Sequence, residues 1–175
     1  MDWKSHVAIV TGAGSGIGTG IAEVFAEQGA QVIVAEVSEE RGRAVAADLQ
    51  QRFGRGLFIQ TDVSSADGCK ALVEETLENC GHIDTLVNNA GVNFVKPTLE
   101  MDEEDWDRVL DVDLKGTFLC SLHALKAMVP RGRGAIINIA SVHTVATLPE
   151  AAPYAAAKGG MAAMTQSLAI EFAPR

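Results

Sequence analysis

The chain has one tyrosine and three cysteines in 175 residues, and aromatic side chains make up only 5% of it. The cysteines, Cys69, Cys80 and Cys120, form an odd set with no C-x-x-C pair. That argues against a disulfide-stapled scaffold and against a cysteine-built metal centre, and no metal is expected. Positive charge is also scarce. Lys and Arg number 14 against 23 Asp and Glu, a formal charge of −9, and no basic stripe with interleaved aromatics offers a footing for nucleic acid. No apolar run approaches the ~18 residues of a membrane span. Residues 1–6 lack the hydrophobic stretch of a secretory leader, so a cytoplasmic location is the default expectation. What remains is 47% hydrophobic and free of low-complexity tracts, which suits one globular domain over 1–175 and leaves too little chain for two.

Glycine, by contrast, is plentiful, and three glycines carry information. Gly12, Gly16 and Gly18 follow the apolar run 7–10 and precede an amphipathic segment, so a strand, a glycine turn and a helix start are expected in that order. Glycines let a backbone turn tightly and approach a dinucleotide pyrophosphate, while free N–H groups and the positive end of the helix dipole face the phosphates. Ser15 and Ile17 fall in the same turn. The spacing is G-x-x-x-G-x-G rather than G-x-G-x-x-G, and a glycine-rich surface loop is the plain alternative. A P-loop is disfavoured because no Gly-Lys-Ser/Thr follows.

Further strands are predicted at 31–35, 57–60, 85–87 and 135–140. Between the first two strands, Ile17, Ile21, Val24 and Phe25 recur at helical spacing, with Gly29 placed to close the helix. Ser38 is positioned to cap the second helix, and Ser64 or Ser65 the third. A long helix is predicted from near Glu103 to about Met128, and Pro153 suits the start of a last one. Continuous apolar strands joined by helices imply an α/β fold: a doubly wound, Rossmann-like parallel sheet in three α/β/α layers. Such a sheet has six strands, so the domain is read as incomplete, its C-terminal strands missing.

Glu36 lies just past the second predicted strand, 18 residues after Gly18, where an acid accepts hydrogen bonds from adenosine ribose hydroxyls. NAD is therefore expected over NADP. A carboxylate ~4 Å from a 2′-phosphate charge meets repulsion of about 4 kcal/mol at an effective dielectric of ~20, and neither Ser15 nor Val37 supplies a compensating cation. An ordinary exposed loop acid is the alternative. Tyr154 and Lys158 stand one helical turn apart, so phenol and ammonium share a face. An ammonium ~6 Å from the phenol oxygen favours the phenolate by roughly 2.8 kcal/mol at an effective dielectric of ~20. A packed ring beside a solvated lysine would look the same in sequence. Ser141 adds weight, because it follows the fifth strand by position, 13 residues before Tyr154, at the strand end where open α/β sheets bind ligands.

Taken in order, Thr11, Gly12, Gly16 and Gly18, then Asn88, Asn89, Ala90 and Gly91, then Ser141, then Tyr154 and Lys158 resemble the short-chain dehydrogenase/reductase family over nearly the whole chain. The resemblance implies hydride transfer between NAD(P) and a secondary alcohol or ketone, as in 3-oxoacyl reductases or sugar and polyol dehydrogenases. It makes Tyr154 the general acid or base, Ser141 the group that positions the substrate oxygen, and Lys158 the partner of both the nicotinamide ribose and the phenol. It assigns Asp62, with Val63 beside it, to adenine, and Asn89, Ala90 and Gly91 to the cofactor side of the fourth strand. Asn88 is read as chiefly structural. It also implies a homo-oligomer, a tetramer or dimer built on the outer faces of the last two long helices.

Two departures accompany the resemblance. Asp113 stands where the family commonly has a catalytic asparagine, whose backbone carbonyl and bound water join a proton relay, and a buried carboxylate there bears on the pH profile. The chain also stops at Arg175, where relatives continue. A truncated, non-catalytic dinucleotide-binding or interaction module is therefore the alternative to the enzyme. His143, Thr144, Thr147 and Pro149 offer a mixed polar and apolar rim that does not specify a substrate, and His143 is read as a loop histidine.

Overall fold

A computed structural model describes residues 3–175. Residues 1 and 2, which entered the reading of the leader, lie outside the described residues. Five strands, β1 (Val7–Thr11), β2 (Gln31–Glu36), β3 (Gly56–Gln60), β4 (Thr85–Asn88) and β5 (Ala135–Asn138), alternate with helices α1 (Gly16–Glu27), α2 (Glu39–Phe53), α3 (Ala66–Cys80), α4 (Glu103–Leu110), α5 (Thr117–Met128) and α6 (Ala152–Phe172). The strands are parallel, in the order β3-β2-β1-β4-β5.

Successive strand residues point to opposite faces, and the two faces pack against different helices. Ile9, Ile33 and Leu86 join Cys69 and Leu72 of α3 and Cys120 and Ala124 of α5. Their neighbours Val10, Val34 and Val87 join Ala22 and Ala26 of α1 and Ala46 and Leu49 of α2. This is the expected three-layer Rossmann-like arrangement. Ile9, Ile33, Leu72 and Leu86 are fully buried, each worth roughly 1.5–3 kcal/mol relative to exposure. The order of winding, not the strand direction, reverses at β1, which pairs in parallel with β2 on one side and β4 on the other. A crevice therefore opens beyond the carboxyl ends of β1 and β4.

Helix ends follow local chemistry. Ser38 and Ser65 accept first-turn N–H bonds at α2 and α3, while Gly54 and Gly81 close those helices with φ of 70° and 77°. Asp102 and Asp105 form a reciprocal capping box at α4, which satisfies two end donors.

Several predicted details differ from the fold. The face of α1 that meets the sheet is Gly18, Ala22 and Ala26, whereas Ile17 and Val24 are 67% and 60% exposed. Small side chains bring that helix close to the strands, and bulk loses to fit. The long helix predicted from Glu103 is two α-helices joined by a π-helical segment, Asp111–Gly116, so a wide turn interrupts it. Glu36 is the last residue of β2 rather than a residue past it, and β5 ends at Asn138. The outer side of β5 is the sheet edge, beside a cleft of about 290 Å³ lined partly by Leu125, Met128, Ile136, Leu168 and Phe172. Among the described residues, no helix is long and apolar enough to cross a membrane.

Candidate active site

The glycine turn is held closed against β4. Gly12 has φ +63°, and a Cβ on it would lie 2.8 Å from Ala90 Cα. A Cβ on Gly18 would lie 2.3 Å from the Gly12 carbonyl oxygen, so neither position tolerates a side chain. Thr11 Oγ1 accepts the N–H groups of Asn89 and Ala90 at 3.0 Å each, and Asn89 Nδ2 donates to the carbonyls of Thr11 and Gly12 at 3.0 and 3.2 Å. Ser15 caps α1 by position without a side-chain bond to the first turn. The backbone donors at Gly16 and Ile17, both exposed, thus face outward at the positive end of α1.

Glu36 is 5% exposed and reaches the glycine turn from the end of β2. Its Oε2 accepts Gly14 N–H at 3.0 Å, and its Oε1 accepts Ser38 N–H at 3.1 Å and Arg41 Nη2 at 3.0 Å. The exposed loop acid is excluded, and a cation that the reading of Ser15 and Val37 did not cover stands nearby, because Arg41 reaches back from the first turn of α2. Asp62 is exposed and turns its Oδ1 toward Ser64, accepting its N–H at 2.9 Å and its hydroxyl at 2.7 Å; Val63 beside it is buried.

Beyond β4 and β5 the remaining candidates gather. Ser141 begins a 3-10 turn, Val142–Thr144, and its Oγ accepts His143 N–H at 3.3 Å. The His143 ring meets the Tyr154 ring edge-on, with centroids 5.2 Å apart. Lys158 Nζ sits 5.5 Å from the Tyr154 ring centroid and donates to the Ile139 carbonyl at 3.1 Å. Serine, phenol and amine are therefore on adjoining elements at one end of β5.

Asp113 completes this group from the π-helical segment. It is 0% exposed; Oδ1 accepts Val92 N–H at 2.7 Å, and Oδ2 lies 3.1 Å from Lys158 Nζ. Burial pushes its carboxyl above the ordinary range, with the Val92 N–H and the Lys158 charge opposing that shift. The backbone carbonyl of Asp113 accepts the Thr117 hydroxyl at 2.9 Å. Gly91 covers the carboxylate so closely that a Cβ there would lie 2.8 Å from Oδ2. Asn88 is buried, donating to Ser121 Oγ at 3.0 Å and Asn138 Oδ1 at 2.8 Å, which suits a structural strut.

The family model described as short chain dehydrogenase matches residues 6–175. The chain belongs to that family. It is 44% identical over 95% of its length to an uncharacterized oxidoreductase of Thermotoga maritima, covering 65% of that protein. It is 39% identical over 99% of its length to a 3beta-hydroxysteroid dehydrogenase of Mediterraneibacter gnavus, covering 63% of it. A cis-4-hydroxycyclohexanecarboxylate dehydrogenase of Sinomonas cyclohexanicum is 40% identical, with 98% of this chain and 69% of that protein covered. The chain thus spans about two-thirds of the length of these relatives. A crystal structure of a short-chain alcohol dehydrogenase from Sinorhizobium meliloti 1021 superposes with a TM-score of 0.92 at 36% identity, over 97% of this chain and 67% of that one. The names these relatives carry are those of an oxidoreductase and of dehydrogenases.

Some of the contacts at this rim have no counterpart in the sequence reading. Arg41 was legible only as the residue one turn beyond Ser38. The Val92 N–H and the Ile139 carbonyl are backbone groups that no side-chain pattern reveals. His143 was read as a loop residue, yet its ring contacts the phenol.

Proposed function

We propose that this chain is an NAD-linked oxidoreductase that transfers hydride between the cofactor and a secondary alcohol or ketone, with Tyr154 as proton donor or acceptor. The reading rests on one observation above all: Lys158 links the Tyr154 ring to the end of β5, one turn from Ser141, beside the crevice at β1 and β4. The crevice suits a dinucleotide, since Gly12 and Gly18 fold the turn too tightly for a side chain, Gly16 at φ +57° has open space where a Cβ would stand, and no side chain caps the start of α1. Gly12, Ser15, Gly16, Ile17 and Gly18 would hold the pyrophosphate, Glu36 the ribose, Asp62 and Val63 the adenine, and Asn89, Ala90, Gly91, Tyr154 and Lys158 the nicotinamide half.

When bound, the nicotinamide supplies the hydride chemistry. Within the chain, Ser141 Oγ orients the carbinol oxygen while Tyr154 Oη takes its proton in oxidation and returns it in reduction. Lys158 stabilises the phenolate that results. The mouth of this site is apolar, with Val95, Val142, Val145 and Leu148 exposed at 67%, 66%, 88% and 69%. A hydrogen bond from Lys96 N–H to the Glu150 carbonyl ties its two sides together at 3.3 Å. This rim, with two relatives named for ring-borne hydroxyls, favours a cyclic apolar alcohol over a sugar or polyol. A homo-oligomer paired through α5 and α6 fits the exposure of Phe118 and Ile170 on those helices, at 42% and 81%.

The test is NAD-linked turnover over cyclic alcohols, hydroxyacyl thioesters and polyols. Cyclic alcohols should rank first and NADP should serve at least ~10-fold less well, the repulsion at Glu36 setting the difference. Glu36→Ala should relax that preference, because Arg41 is then free to meet a 2′-phosphate. Equal use of both cofactors by the unaltered chain would remove Glu36 from its assigned role. The uncovered edge of β5 and its apolar cleft favour a second reading, a dinucleotide-binding interaction module. Cofactor binding with no turnover over the whole panel would select it.

A further inference from the structure

The buried carboxylate beside Lys158 is the feature that the proton-transfer reading leaves without a task. Asp113 and Lys158 are 0% and 4% exposed, and among the described residues the amine's polar partners are the Asp113 carboxylate and the Ile139 carbonyl, each at 3.1 Å. Asp113 Oδ2 lies at hydrogen-bond distance from the amine without a well-aligned bond, so the contact is first of all an ion pair. The other carboxylate oxygen is fixed by the Val92 N–H at 2.7 Å, which locks the side chain toward the amine. A buried ion pair of this kind is costly to break from one side, because the remaining charge is left uncompensated.

We propose that Asp113 is a positioning residue, the counter-ion that draws the Lys158 amine to the end of β5 and offsets its charge, so that Tyr154 faces a nearly neutral pair. The inference rests on the reading of Tyr154 and Lys158 as proton-transfer partners. With an amide at position 113, the ammonium would act on the phenol at full strength. With the carboxylate, part of that attraction is cancelled, and the phenol ionises at a higher pH than it would beside a lone ammonium. The groups that face the phenol are Lys158 from its own helix, His143 from the 3-10 turn with its ring against Tyr154, and Asp113 from the π-helical segment through Lys158. The neighbouring Lys115 is turned away to Asp111 at the surface, at 3.0 Å. At the alkaline pH where phenols titrate, the Asp113–Lys158 pair carries the effect.

The experiment uses the fact that Tyr154 is the only tyrosine in the chain, so phenolate absorbance in a pH titration reports that side chain without any turnover. Asp113→Asn should lower the absorbance midpoint by about one pH unit, and Lys158→Gln should raise it by a similar amount. The double variant, which removes both charges, should return close to the unaltered chain. A purely structural Asp113 would alter thermal stability without this pattern. An unmoved midpoint in Asp113→Asn overturns the proposal, as does a double variant that titrates like Lys158→Gln alone. Should Asp113→Asn fail to fold, the comparison of Lys158→Gln with the double variant still decides. Absence of turnover in the unaltered chain tells against the oxidoreductase reading and leaves this titration readable.

Discussion

The two ends of the parallel sheet each hold a carboxylate, half-buried Asp84 at one and fully buried Asp113 at the other, and the two are treated in opposite ways. At the amino ends of the strands, Asp84 precedes β4 and is surrounded by donors. It accepts Val7 N–H at 3.0 Å and Arg131 Nη2 at 3.1 Å, and His82, Arg133 and His6 lie within 3.0, 3.5 and 4.0 Å. Burial works to raise its pKa, yet the Val7 N–H, Arg131 and His82 outweigh it, and the carboxyl titrates below its ordinary 3.8. At the carboxyl ends, Asp113 has one N–H and one ammonium, and there burial wins. The difference is in partner count and water. One carboxylate is satisfied and serves as an anchor for β1, β4 and the turn before β5; the other is left with a single charge to balance, beside the phenol.

This contrast is broken or sharpened by substitution at each end. The largest effect belongs at the carboxyl rim: Tyr154→Phe should lower kcat by ~10³-fold or more while cofactor affinity and Tm change little, read by steady-state rates and cofactor titration. At the amino rim the expectation is reversed. Asp84→Asn should cost about 2–3 kcal/mol in denaturant unfolding, because two arginines and a buried N–H lose a charged acceptor, and leave kcat and KM as they are. A rate defect from that variant would break the division between the two rims.

The pH dependence carries the same contrast with opposite sign. A lowered carboxylate stabilises the fold fully above its unfolded pKa, and the contribution disappears as pH falls through the folded value. Acid unfolding below the ordinary 3.8 of Asp84 should therefore be less steep in Asp84→Asn. A raised carboxylate acts the other way: the folded chain keeps its proton longer, so stability declines as pH climbs from 3.8 through the folded value of Asp113. The smallest effect is a surface control. Lys115→Ala removes an exposed i,i+4 pair with Asp111 and should change stability by no more than ~0.5 kcal/mol.

Much of the architecture was legible because it is written in local signals. Strand runs at 7–10 and 31–35, the serine cap at Ser38, the choice of Ser64 or Ser65 for the third helix, which falls on Ser65, and the glycine closure at Gly29 need only neighbouring residues to act. Of the four apolar positions expected on one face of α1, Ile21 and Phe25 pack against the core while Ile17 and Val24 are exposed, because the helix approaches the sheet on Gly18, Ala22 and Ala26. The π-helical segment was hidden because its residues fit an α-helical pattern, and the wide turn over Asp111–Gly116 is a feature of the backbone that side-chain periodicity does not carry. In the candidate site, the glycine turn and the Tyr154–Lys158 spacing are short-range patterns that sequence can carry. The Asp113–Lys158 contact joins residues on separate elements, and Arg41 reaches Glu36 across a helix start. Both depend on the folded geometry.

The most direct measurement of the central claim follows a deuterium label from the carbinol carbon of a cyclic secondary alcohol into NAD. Incubation of the unaltered chain should yield reduced cofactor carrying the label by mass spectrometry, and Tyr154→Phe should yield none. Cofactor that binds to the unaltered chain yet never acquires deuterium, from any alcohol in the panel, would contradict the oxidoreductase account.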